Sequence, residues 1–121
     1  MRVERTVNGL YVFPLSVSFK SQSKKLLGLV DTGSNICAGT YKIFTTLHAK
    51  PTSFKKIQNP AKDPVRALGY SLTIRFDNKG KMVSVYRLPF DMGEIHFILG
   101  MSILADCKIS MQKNYMDIEW N

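Results

Sequence analysis

Acidic residues are scarce in this chain. Nine Asp and Glu stand against 17 Lys and Arg, a formal net charge of +8. Such a balance could suit nucleic acid or an acidic partner. However, no recognisable nucleic-acid module is present, and the clusters Lys20/Lys24/Lys25 and Lys50/Lys55/Lys56/Lys62 fall where turns are expected. The charge therefore reads as a basic surface, with no nucleic-acid partner expected. Cysteine is also sparse: Cys37 and Cys107 are too few for a disulfide scaffold and have no CxxC or nearby His partner. They read as free thiols in a reducing compartment, with a single bridge as the other option. His48 and His96 stand alone, so no metal site is expected. No apolar run approaches the roughly 20 residues of a membrane helix. The opening "MRVERTVNGL" lacks the apolar core of a secretion signal. A cytoplasmic protein without membrane association is the expectation. No repeat or linker divides the 121 residues, which read as a single domain over 1–121.

What is present has mostly period two. Phe13, Leu15, Val17 and Phe19 alternate with polar residues or proline, a half-buried strand in which Pro14 marks an edge position or a start. "KSQSKK" is a polar turn, and the run Leu26–Val30 predicts a returning strand covered on both faces, so residues 10–31 read as a hairpin. A short strand at Ile36 and Cys37 precedes Ile43, Phe44 and Leu47 at helical spacing, with Thr40 as the cap. Residues 49–64 are lysine-rich and broken by prolines, a loop or mobile hairpin. The segment 67–90 is the clearest β-hairpin, with Asn78-Lys79-Gly80 as its turn. "EIHFILGMSILADC" predicts a strand, a tight glycine and a short helix. Two short strands around Lys113-Asn114 then close the chain.

One stretch does not fit simple burial. "GLVDTGSN", residues 28–35, runs an apolar strand into Asp31 and breaks at once. A carboxylate at the end of a buried strand is costly unless compensated, so Asp31 either serves chemistry or caps a turn. Gly33 permits a sharp bend and close approach of another segment, and Ser34 and Asn35 add local donors. Later, "HFILG" (His96 to Gly100) also stops at glycine, and the two strands could cross to make a rigid loop platform. Ser16, Ser18 and His96 lack the elbow or order of a serine triad.

"LLGLVDTGSN" followed by "FILGMSIL" resembles a retroviral-type (retropepsin-like) aspartic protease, over residues 10 to 120. The resemblance implies an all-β, acid-protease half-barrel with two short helices, active as a symmetric homodimer with one Asp31 from each subunit. It implies an aspartic endopeptidase that needs no cofactor and takes a peptide or protein substrate in extended conformation. Thr32 matches the residue whose hydroxyl bonds across the dimer axis, and Gly33 the one that lets substrate backbone approach. Ser34 completes the active-site loop, while Leu99 and Gly100 match the segment that packs under it. The flap would run from Ser53 to Leu68, with Ile57, Gln58, Asn59, Pro60 and Ala61 touching substrate; it departs from the family in having no glycine before Gly69. Terminal strands of the two subunits would interleave, leaving Tyr115–Trp120 as core or interface. A non-catalytic protease-like dimerisation or peptide-binding module is the alternative.

Overall fold

The computed structural model describes residues 1–57 and 63–121. Ten strands and two short helices follow in the order β1 (Arg2–Glu4), β2 (Val12–Phe19), β3 (Gln22–Val30), β4 (Cys37–Gly39), α1 (Tyr41–Thr46), β5 (Ser53–Ile57), β6 (Val65–Phe76), β7 (Lys79–Arg87), β8 (Phe97–Leu99), α2 (Met101–Leu104), β9 (Cys107–Met111) and β10 (Tyr115–Trp120). Seven strands make one sheet in the order β2-β3-β8-β4-β7-β6-β5. An additional β2–β6 pairing, Val17 opposite Ile74, closes it into a barrel. The second sheet, β1-β10-β9, packs on that barrel through Val3, Met116 and Ile118.

Local chemistry accounts for the main hairpins. β2 and β3 are joined through Lys20-Ser21, with Phe19 opposite Gln22. Pro14 precedes the stretch of β2 that meets β6, so its missing N–H costs the ring no bond on that side. The β6–β7 turn is Asp77-Asn78, one residue earlier than the glycine suggests. Phe76 faces Lys79, and Asp77 and Asn78 have φ of 51° and 64°. Two successive left-handed residues suit the strand twist, and Asp and Asn tolerate that region. Gly80 instead lies inside β7, opposite Arg75.

The core is built from Val17, Leu72, Ile74, Val85, Phe97, Leu99 and Ile103, all fully buried. Phe76 anchors one end, with Phe13 edge-on at 5.2 Å and Trp120 stacked at 4.5 Å. The Trp120 indole also donates to the Phe76 carbonyl at 2.9 Å, so this residue belongs to the core. β3 differs from its expected burial: Leu26 is buried, but Leu27 is 41% exposed and Leu29 and Val30 are half-buried. β2 and β8 flank β3 within the sheet without covering its outer face.

The terminal strands form the small sheet. β10 pairs with β1 on one edge (Val3 opposite Met116) and β9 on the other (Ile109 opposite Ile118), all within one protomer. Short β1 carries no alternating pattern long enough to read as a strand. Its place is fixed by distant partners: Arg2 donates to Asp117 at 3.1 Å and lies 3.9 Å over the Tyr115 ring.

Candidate active site

β3 and β8 run parallel and side by side rather than crossing, with Gly28, Leu29 and Val30 opposite Phe97, Ile98 and Leu99. β4 lies on the other edge of β8, antiparallel, with Ala38 opposite Ile98. The strand that ends at Gly100 is thus inserted between the strand that ends at Asp31 and the strand that follows it.

Main-chain bonds knit the loop between β3 and β4 to that insertion. The Asp31 N–H donates to the Leu99 carbonyl at 3.0 Å, and the Ser34 N–H to the Asp31 carbonyl at 3.2 Å. The Met101 N–H, at the start of α2, donates to the Ser34 carbonyl at 2.7 Å. The Ser34 hydroxyl donates to the Ile36 carbonyl at 2.8 Å. Gly100 makes this closeness possible: a Cβ there would sit 2.0 Å from the Ile36 carbonyl oxygen and 2.8 Å from that of Ser34. Asp31 is half-buried, and its Oδ1 accepts the Gly33 N–H at 3.0 Å. Among the described residues no cation pairs with it. Thr32 and Gly33 are exposed. The structure thus brings Asp31, Thr32, Gly33, Ser34, Leu99 and Gly100 into one rigid corner.

Sheet register then extends the site. Leu29, Ile98, Ala38, Tyr86, Gly69 and Ser53 oppose one another in turn across six strands. Directly opposed residues share a face. This face points away from the core, which Phe97, Leu99, Cys37 and Val85 of the alternate positions fill; along it Ala38 and Gly69 are buried, Leu29, Ile98 and Tyr86 half-buried and Ser53 exposed. Asp31 follows Leu29 by two residues and belongs to the outer face too. A stripe of Leu29, Ile98, Ala38 and Tyr86 therefore leads away from the carboxylate. Alternation backward from Asp31 would have found Leu29; the other members depend on register that the sequence alone does not state.

The hairpin of β5 and β6 begins where the stripe ends, with Ser53 opposite Gly69 and Ile57 opposite Val65. Of the expected flap, Ile57 is half-buried at the tip of β5. Gln58, Asn59, Pro60 and Ala61 lie outside the described residues.

The expected helix cap resolves differently. Thr40 stands at the start of α1 but makes no side-chain cap to it. Its buried hydroxyl lies 3.3 Å from Nδ1 of His96, and its N–H donates to the His96 carbonyl. His96 is thus tied to β4 rather than free. Both cysteines are free. Burial pushes the Cys37 thiol above its ordinary range, only partly offset by the Ser102 hydroxyl donating to Sγ at 3.3 Å. Burial, then Asp106, does the same to Cys107. Neither is an activated thiolate. Among the described residues no group of three or more His, Cys, Asp or Glu could hold a metal ion, and no helix is long and apolar enough to cross a membrane.

With this geometry, comparison with solved structures is decisive for the fold. A retropepsin-like aspartic protease from Rickettsia conorii superposes with a TM-score of 0.69 over 96% of this chain and 87% of that one, at 19% identity. The fold is retropepsin-like. The foamy viral protease-reverse transcriptase, solved with double-stranded DNA, matches at 0.59 over 83% of this chain and 16% of its own, at 20% identity. No protein-family model and no curated protein matches the sequence. The likeness therefore lies in the retropepsin-like backbone, carried by side chains that have largely changed.

Proposed function

We propose that this chain is an aspartic endopeptidase that works as a symmetric homodimer, each subunit supplying one Asp31. The observation that carries this reading is a half-exposed carboxylate at the mouth of a corner made rigid by main-chain bonds to Leu99 and through Ser34 to Met101. A turn aspartate needs no such frame, and Gly100 would not have to admit backbone so closely.

Two Asp31 carboxylates brought together on a two-fold axis cannot both ionise freely, so they share one proton. The ionised member draws a proton from a water that attacks the peptide carbonyl. The protonated member donates to the developing oxyanion. The Gly33 N–H holds Asp31 in orientation, and Thr32, which is exposed, meets the partner subunit in this reading. Substrate lies extended across the Leu29–Tyr86 stripe, with the β5–β6 hairpin as its cover and Ile57 touching it. No cofactor enters this scheme.

The test is cleavage of a peptide library by the wild type and by Asp31→Asn, scanned from about pH 4 to 7. Both proteins are sized by light scattering at assay concentration. Cleavage by a dimer, lost at least about a thousandfold in Asp31→Asn, is the expected result. Equal cleavage by both proteins would exclude Asp31 as the catalyst. A wild-type dimer that cuts nothing would leave a peptide-binding module.

A further inference from the structure

The β5–β6 hairpin carries Lys55, Lys56 and Arg66, and among the described residues no carboxylate pairs with any of them. Lys56 stands directly opposite Arg66, a like-charge pair that costs the hairpin stability. Successive strand residues face opposite ways, so Lys55 and Lys56 serve different surfaces. Lys56 and Arg66 share a face with Phe54 and Leu68, where the Arg66 guanidinium lies 3.7 Å over the Phe54 ring. Lys55 opposes Ala67, two residues from the Ser53–Gly69 pair, and so shares the face of Asp31. Its ammonium sits 5.9 Å from the centre of the Tyr86 ring. Lys55 thus sets a cation at the far end of the apolar stripe.

Resting on the endopeptidase reading above, we propose that Lys55 makes this enzyme select peptides with an acidic residue a fixed distance from an apolar residue at the cleaved bond. Tyr86 lies three strands from Leu29, roughly 14 Å at ordinary strand spacing, which about four residues of extended peptide cover. An apolar side chain on Leu29 and Ile98 thus places a carboxylate three or four positions along against the Lys55 ammonium. In a symmetric dimer the contact recurs on the other side of the bond. The attraction acts on the ground state and transition state alike, so it enters KM rather than kcat.

The test compares matched peptides with Glu or Gln three and four positions from the cleaved bond. Wild type, Lys55→Ala, Lys55→Glu and Lys56→Glu are assayed for kcat/KM, and affinity is read by fluorescence anisotropy in the Asp31→Asn background. The wild type should favour Glu about three- to tenfold through KM, less so in high salt. Lys55→Ala should abolish the preference and Lys55→Glu reverse it, while Lys56→Glu keeps it. Equal handling of Glu and Gln by the wild type overturns the proposal. So does an equal effect of Lys56→Glu and Lys55→Glu, which marks a diffuse field rather than a contact. If the wild type cuts no peptide, the endopeptidase reading falls, and the anisotropy ratio alone decides this inference: a Glu preference lost with Lys55 supports it, and equal affinity overturns it.

Discussion

Glycines divide the site into parts that can give and parts that cannot. At Gly28 a new Cβ would meet the Leu15 side-chain end at 2.5 Å, which can rotate away. At Gly100 it would meet the Ile36 carbonyl oxygen at 2.0 Å, which belongs to the β3–β4 loop itself. Gly28→Ala should therefore cost about 1–3 kcal/mol, the usual penalty of overpacking. Gly100→Ala should cost more than about 4 kcal/mol and displace the Asp31 loop. Urea unfolding of both variants checks the ranking, which a smaller loss for Gly100→Ala would contradict. The sequence made this corner legible because one apolar run breaks at once into Asp31-Thr32-Gly33 and a second, also apolar, stops at Gly100. It gave no sign of the Thr40–His96 contact, since Thr40 satisfies the local rule for a helix cap while its hydroxyl answers to a residue far along the chain.

At the scale of elements, hairpins were readable and distant pairings were not. β2–β3 and β6–β7 follow from alternation plus a short polar turn, both local signals. The β6–β7 turn was misplaced by one residue because glycine outranks Asp-Asn in turn rules, although both Asp77 and Asn78 adopt the conformation required. β1 has no local signal at all. It is held by β10 and by Arg2, whose hydrogen bond holds the Asp117 carboxyl below the usual carboxylate range. A depressed folded value means the contact contributes above the unfolded pKa of about 3.9 and is lost as pH falls through the lower, folded one. Both partners are exposed, so the effect should be confined to β1. Acidification should lower the protection factor of the Val3 amide, its exchange relative to the unstructured rate at the same pH, before the barrel responds, and Arg2→Ala should return Asp117 to ordinary titration. A carboxyl that titrates identically in wild type and Arg2→Ala, followed by NMR, would refute the pairing.

For the whole molecule, the retropepsin-like fold is legible in two short motifs, which the chain brings together where β8 inserts between β3 and β4. The assembly was less legible. Within the chain β10 has both edges occupied, by β1 and β9, which form the borders of the small sheet. The homodimer proposed above sets one Asp31 from each subunit on its two-fold axis. Dilution tests this: specific activity should fall with enzyme concentration once the dimer dissociates, in step with the mass from light scattering. Full activity from a species of monomer mass would remove the two-carboxylate mechanism.

Ring closure between β2 and β6 has a further result, because it leaves β5 as the open border of the large sheet. An unpaired strand edge is a template on which another chain can add, and repeated addition leads to filaments. Here that border reads Ser53-Phe54-Lys55-Lys56-Ile57, so two such edges meeting would set ammonium groups side by side on both faces. The net charge of +8 adds repulsion at longer range. The lysines of this strand thus oppose the edge-to-edge addition of a second copy, the step from which filaments would grow.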